Sequence, residues 1–359
     1  MISPAARPES VALPTDAAVC VTGAGGFVAS WLVAELLQSG RLVRGTVRAR
    51  TRASHLTGLA GSARLTLYEA DLQSPGTFDV PVDGAHTVFH TASPYVVDVA
   101  DPQRDLVAPA VDGTLNVLRA CAKAPSVRRV VLTSSMAAVT DEPDGRQVLT
   151  GEDWNTRSSL QRNPYYFSKV QAEHAAWDFM SRERPTFDLV ALNPFVTMGP
   201  SLAPGLNTSN RILVDLVTGT YPAIVSLHWG IVDVRDLAHA HVRAAEVPSA
   251  AGRYLCAQPA VSMRAIVGWL REAGFGRGTR LPSLGLDHPV GDWLVWLDSF
   301  RRPPGAASYL QTHIGRTPRF DARRVREELA VELRPTRETI LDTMADLVAH
   351  GHVPPPVAA

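Results

Sequence analysis

The 359-residue chain is short of lysine: of its 35 basic residues only Lys123 and Lys169 are lysines, so wherever a lysine stands its chemistry is of interest. It has no charge excess, with formal net charge zero, which removes the electrostatic footprint that nucleic acid or an anionic membrane surface requires. Apolar runs nowhere approach the roughly 20 residues needed to span a bilayer. The opening "MISPAARPESVALPTD" lacks the basic-then-apolar order of an export signal, so a cytoplasmic protein is expected. Only three cysteines occur, Cys20, Cys121 and Cys256, each inside an apolar run and without metal-ligand spacing. They read as buried free thiols, and neither a disulfide framework nor a metal site is expected. What remains is a neutral chain with 45% hydrophobic residues, enough for a large core.

Between Pro/Ala-rich ends expected to fray, short β-like runs alternate with helical patterns. "AAVCVTG" leads into the helix "FVASWLVAELLQSG", closed by Gly40. "RLVRGTV", "RLTLYEA", "HTVFHTA", "VRRVVLTSS" and "FDLVALNP" read as further strands, with helices over about 105–124 and 165–182. This rhythm predicts a parallel α/β sheet covered on both faces. Beyond about Phe195 the pattern loosens into Pro/Gly loops, a strand entering a helix at "GIVDVRDLAHAHVRAAE", a Trp-rich stretch over 286–312 expected to be irregular, and a final amphipathic helix over 336–350. That part is expected to form a smaller lid on the C-terminal side of the sheet.

At "VTGAGGFVAS" a strand feeds a glycine turn and a helix N-terminus, which aims backbone N–H groups and a helix dipole at a pyrophosphate. The GxGxxG register fails because residue 28 is Val; GxxGxxA fits through Gly23, Gly26 and Ala29. Gly23 permits the turn, Gly26 the close approach of phosphate, and Ala29 tight helix–strand packing. The next strand ends at Arg48, with Arg50 and Arg52 beyond and no acid over 46–52. A carboxylate there would hold the ribose 2′-OH of NAD, whereas guanidinium groups suit a 2′-phosphate, so NADP(H) is the expected cofactor. Asp71, after the third strand, suits either adenine contact or a helix N-cap.

A nicotinamide cofactor needs a partner that moves the accompanying proton. Tyr165 and Lys169 stand i, i+4 on one helical face, where an ammonium eases proton donation by the phenol. In so lysine-poor a chain, lysine at that offset is telling. Tyr166 is the rival phenol at i, i+3. Ser134 and Ser135 end the strand "VVLTSS", at the sheet edge where active groups gather. A hydroxyl there can meet a carbonyl oxygen, although strand-end serines also make ordinary turn bonds.

Together "VTGAGGFVASWLVAELL", "VRGTVR", "HTASP", "VDGTLNVLRAC", "VLTSS", "YYFSKVQAEHAAW", "LNPFVTMGP" and "VDVRDLAHAHVRAAE" resemble the extended short-chain dehydrogenases/reductases. The likeness is to the dihydroflavonol 4-reductase-like branch with its microbial NADPH-dependent aldehyde/ketone reductases. It implies a Rossmann-type doubly wound parallel sheet with a small C-terminal substrate domain. The implied division is a tail over 1–16, a cofactor domain over 17–195 rejoined by 231–260, a lid mainly over 196–350, and a tail over 351–359. It implies Ser135, Tyr165 and Lys169 as catalytic triad, with cofactor contacts from Thr22, Gly23, Gly26, Phe27, Val28, Arg48, Asp71, Leu72, Thr91, Ala92, Lys169 and Pro194. Tyr95, Met136, Val196 and His228 are expected to shape the substrate pocket, His228 equally fitting a structural histidine. The expected activity is NADPH-dependent reduction of a hydrophobic aldehyde or ketone by a monomer or homodimer, with no nucleic-acid or membrane partner. Alternatives are a reductase dedicated to one natural product, a nucleotide-sugar epimerase, or a non-enzymatic NADP sensor. The family's usual Asp-Pro after the post-strand arginine is replaced here by "RART", which adds positive charge.

Overall fold

The computed structural model describes residues 13–14, 16–94, 99–143 and 145–357. Seven strands form its main sheet: β1 Ala18–Thr22, β2 Leu42–Val47, β3 Leu65–Glu69, β4 Thr87–His90, β5 Arg129–Thr133, β6 Asp188–Pro194 and β7 Gly252–Cys256. Their order is β7-β6-β5-β4-β1-β2-β3, and every pairing is parallel. The central strands are buried along almost their whole length, as parallel strands covered on both faces must be. Chain direction across the sheet reverses between β1 and β4. A cleft therefore opens at their C-terminal ends, beside Thr22–Gly23 and Thr91–Ala92.

Helices α1 Phe27–Gln38 and α2 Ala108–Lys123 cover opposite faces, joined by α3 Pro164–Glu183 beside α2 and by α5 Val234–Glu246 beside α1; α4 Thr208–Thr218 lies between the last two in the chain. One core layer joins Leu32 and Leu36 to Leu237 and Ala240; the other joins Val117 and Cys121 to Ala176 and Phe179. Helix α1 ends in a Schellman cap: Gly40, at φ +76°, donates to the Leu37 carbonyl and Arg41 to that of Leu36. All three cysteines are buried and unpaired, and burial pushes the Cys20 and Cys256 thiols up to about 12.

A third apolar cluster joins α4 to α6 Met263–Leu270 and α9 Thr336–Ala349 through Leu213, Leu216, Ile266, Leu270, Ile340 and Met344. Between α6 and α9 the expected irregular stretch is instead two helices, α7 Pro289–Ser299 and α8 Pro304–His313. Each begins with proline in its first turn, and His288 caps α7 by accepting from Gly291 N at 3.2 Å. The apolar residues of α7 surround it, which hides a helical period. Trp293 is 58% exposed and Phe300 62%, so they are not core. Residues 351–357, expected to fray, lie against the body: Val353 is buried and Val357 N donates to the Gly274 carbonyl. No helix among the described residues is long and apolar enough to cross a membrane.

Candidate active site

Strand β1 runs out at Thr22 into a turn that only glycine fits. Gly23 has φ +65°, and a Cβ there would stand 3.0 Å from the Ala92 Cα. The turn is sewn to β2, Ala24 N donating to the Thr46 carbonyl at 2.8 Å and Gly23 N to Thr46 Oγ1 at 3.2 Å. Gly26 is the N-cap of α1 and offers no side chain to its N–H groups. Phe27 and Val28 open the helix half-buried, while Ala29 is buried against the sheet. Thr22 Oγ1 accepts from Ala92 N at 3.1 Å and shares a further hydrogen bond with His90 Nδ1, 2.9 Å away. Thr91 Oγ1 donates to the Thr22 carbonyl. Burial, and then the charge of Lys169, lowers His90 to about 4.

Arg48 stands exposed at the end of β2, with Arg50 and Arg52 in the turn Arg50–Ala53; none makes an ion pair among the described residues. A carboxylate is nonetheless near. Glu69 pairs in register with Val47 and accepts from Arg50 N at 3.3 Å. Reading β2 alone misses it, because strand pairing brings it there. Asp71 is not a helix cap: it closes a local turn by accepting from Gln73 N at 2.9 Å. Leu72 packs on Gly113, where a Cβ would meet it at 2.9 Å. Pro194 is buried at the end of β6.

Helix α3 carries Tyr165, Tyr166 and Lys169. Lys169 Nζ lies 5.5 Å from the Tyr165 ring centre and donates to Ser93 Oγ at 2.7 Å, a partner sequence reasoning did not find. Desolvation lowers this lysine to about 8. The two strand-end serines are separated by a buried carboxylate. Glu173, one turn beyond Lys169, accepts from Ser134 Oγ, Asn193 Nδ2 at 2.9 Å, Trp177 Nε1 at 3.1 Å and Arg253 Nε at 2.6 Å. Ser134 is thus committed to structure. Ser135 is not: Asn193 Nδ2 holds its carbonyl at 3.2 Å, and its Oγ accepts from Ala137 N at 3.1 Å, leaving the hydroxyl proton to give.

Ser135, Tyr165 and Tyr166 line a cavity of about 870 Å³, whose walls also include Met136, Val196, Phe195, Ile212, Trp229, Leu294 and Leu310. Most of that lining is apolar; Arg211, Asp215, Asp298 and Arg302 supply charge. Met136 and Val196, expected to shape a substrate pocket, both line this cavity. His228 is a correction, since it is not among the lining residues. It sits with Trp229 in a two-residue strand whose side chains face opposite ways, and Trp229 takes the cavity side. Its buried Nδ1 has no hydrogen-bond partner among the described residues. Tyr95 lies outside the described residues. Sequence reasoning missed Tyr309 and His313 of α8, which line the cavity and stack with ring centres 4.2 Å apart.

The family model "NAD dependent epimerase/dehydratase family" matches residues 19–256. "Cinnamoyl-CoA reductase CAD2" of Medicago truncatula is 44% identical over 265 residues, 71% of this chain and 80% of its own length. "Cinnamoyl-CoA reductase 1" of Arabidopsis thaliana is 36% identical over 355 residues, 97% of this chain and 94% of its own. Among solved structures, the yeast methylglyoxal/isovaleraldehyde reductase Gre2 complexed with NADPH superposes with TM-score 0.76 at 30% identity, covering 94% of this chain and all of that one.

Proposed function

The chain belongs to the NAD dependent epimerase/dehydratase family, and on that premise we propose that it is an NADPH-dependent reductase of hydrophobic aldehydes and ketones. One observation carries the reading: Ser135 and Tyr165 face the same largely apolar cavity, with Lys169 half-buried one helical turn behind the phenol.

The cofactor's place is tested by the turn at Gly23–Gly26. The α1 N-terminus has no side-chain cap, and a Cβ at Gly26 would intrude within 3.1 Å of the Gly23 carbonyl, so the bare backbone leaves room for a pyrophosphate. Arg48 with Arg50 and Arg52 suits the 2′-phosphate. Phe27, Val28, Asp71, Leu72, Thr91, Ala92 and Pro194 rim the same cleft in this reading, and Lys169 holds the ribose hydroxyls. Bound there, NADPH supplies the hydride.

The chain's own residues supply the rest. Ser135 Oγ donates to the substrate's carbonyl oxygen and orients it. Tyr165 Oη gives that oxygen its proton. The Lys169 charge, desolvated and close, favours the negative charge left on the phenol. The apolar walls exclude water and select neutral substrates. A sugar nucleotide would bury many hydroxyls against Phe195, Val196, Ile212 and Trp229 without partners, which disfavours an epimerase. Aryl acyl-CoA thioesters, suggested by the names of the plant relatives, are the second reading, the aryl group taking the same walls.

The test is NADPH oxidation over a panel of aldehydes, aryl ketones, β-keto esters, aryl-CoA thioesters and a UDP-sugar, with NADH run in parallel. Greatest efficiency on a neutral apolar carbonyl is expected. Greatest efficiency on the UDP-sugar overturns the reading, and greatest efficiency on the thioester replaces it with the second.

A further inference from the structure

Helix α8 meets the first turn of α3 through three polar contacts, all spent on the residues flanking Tyr165. Asn163 N donates to Ser308 Oγ at 2.9 Å, Asn163 Nδ2 donates to Thr312 Oγ1 at 3.0 Å, and Tyr166 Oη lies 3.3 Å from His313 Nε2. Asn163 holds a left-handed conformation, φ +49°, with its side chain turned away from the usual capping role. That strained geometry at the start of a helix is kept where α8 grips it.

The tautomer of His313 follows from its surroundings. Its Nδ1 lies 2.9 Å from Thr312 Oγ1 and 3.1 Å from the Tyr309 carbonyl; the carbonyl can only accept, and Thr312 spends its one hydroxyl proton on the Ser308 carbonyl at 2.8 Å, so Nδ1 carries the proton and Nε2 is bare. Burial lowers this imidazole to about 4, which keeps Nε2 an acceptor at neutral pH. Tyr166 therefore donates to it. The Tyr166 ring in turn stands edge-on to that of Tyr165, at 85° with centres 6.1 Å apart. His313 also lines the cavity, as do Tyr309 and Leu310 of the same helix.

Resting on the reductase reading, we propose that His313 is a positioning residue. Its bond to Tyr166 locks the cavity wall formed by α8 to the turn that presents the Tyr165 phenol, so a substrate seated against that wall is set in register with its proton donor. His313 gives and takes no proton in the reaction. Lys169 sits a turn further along α3, so cofactor binding is outside its reach.

The experiment compares His313→Leu, His313→Gln, Tyr166→Phe and the His313→Leu/Tyr166→Phe double variant. Readouts are kcat, KM for the carbonyl, NADPH affinity by direct binding, and hydrogen exchange over 304–313 in the NADPH-free protein. His313→Leu should lower kcat about 2- to 12-fold, the range one neutral hydrogen bond carries, with NADPH affinity unchanged. Glutamine can place an amide oxygen near the lost Nε2 and should restore most of kcat. Tyr166→Phe should match His313→Leu, the double variant should be no slower than either, and each broken bond should speed exchange over 304–313. A wild-type kcat in both single variants, glutamine as slow as leucine, an additive double variant, or a parallel loss of NADPH affinity overturns the proposal. Should His313→Leu not fold, Tyr166→Phe decides: slower turnover with faster exchange supports the coupling, and neither refutes it. If no carbonyl is reduced by the wild type, the reductase reading falls by itself, while exchange in Tyr166→Phe still decides whether α8 is tied to α3.

Discussion

Replacing Ser134 and Ser135 separately by alanine should produce two different kinds of damage, and the structure says which is which. Ser134 Oγ is one of five donors, from four residues, on the buried Glu173 carboxylate. Removing it leaves four, and the loss is one hydrogen bond to a buried charge, about 1.5–3 kcal/mol of stability. The melting temperature should fall by several degrees while kcat stays within a few-fold. Ser135 Oγ accepts from Ala137 N and caps the short turn Met136–Ala138. Its loss also costs stability, about 1 kcal/mol for a cap. Melting alone therefore does not separate the serines; turnover does. Of the two serines only Ser135 lines the cavity, and in the proposed reaction deleting a donor that serves the developing oxyanion should reduce kcat about 100- to 1,000-fold. Steady-state NADPH oxidation and thermal melting on the same preparations settle it. A dead Ser134→Ala beside an active Ser135→Ala would refute both the assignment and the reasoning from Glu173.

Arg48→Gln should weaken NADPH about 10- to 150-fold, the equivalent of one charge-assisted bond, and leave NADH nearly untouched; equal loss of both would make Arg48 structural. Tyr165→Phe should cut turnover about 100- to 10,000-fold with NADPH affinity intact, whereas Lys169→Met should damage both. Titrating NADPH affinity should show it falling as pH rises through about 8, where Lys169 loses its charge; a transition only near the ordinary lysine value would contradict its desolvation. His90, His241 and His313 are each lowered to about 4 by burial. Between there and the ordinary imidazole value the unfolded chain binds more protons, so stability is full above about pH 6.5 and is lost as pH falls toward 4. A melting temperature flat from pH 7 to 4.5 would show that these rings are not held neutral.

What was legible in the sequence is what a single element encodes. The "GAGGF" turn needs only its own glycines and the helix behind it, and Tyr165 and Lys169 need only one α-helix to share a face. Features that depend on pairing were not legible. Glu69 reaches the arginine turn because β3 lies beside β2 in register, while 21 residues separate Glu69 from Arg48 in the chain. The division of labour between Ser134 and Ser135 is set by Glu173, Asn193 and Arg253, which come from three other elements. His228 and Trp229 were indistinguishable because a two-residue strand has no visible parity. Helix α7 escaped because apolar residues on every side erase the period that marks a helix, and α8 because the residues it buries, Thr312 and His313, are polar.

The two halves of the site are therefore built by different means. On the proposed cofactor side, every group but Lys169, in the second turn of α3, sits at or just beyond the end of one strand or in the first turn of one helix, so its position follows from the parallel sheet. On the substrate side, the wall is gathered from 195–196, α4, Trp229, and α7–α8, segments separated by loops and joined by apolar packing that accepts substitution when volume is kept. Variation in α7 and α8 can alter the shape of the cavity without moving Gly23, Gly26 or Arg48. The exceptions are the α8 residues that touch the α3 turn, Ser308, Thr312 and His313, where the adaptable wall is fastened to the fixed chemistry. In the proposed reductase, substrate range is thus free to vary along most of α8, and is constrained where α8 faces Asn163 and Tyr166.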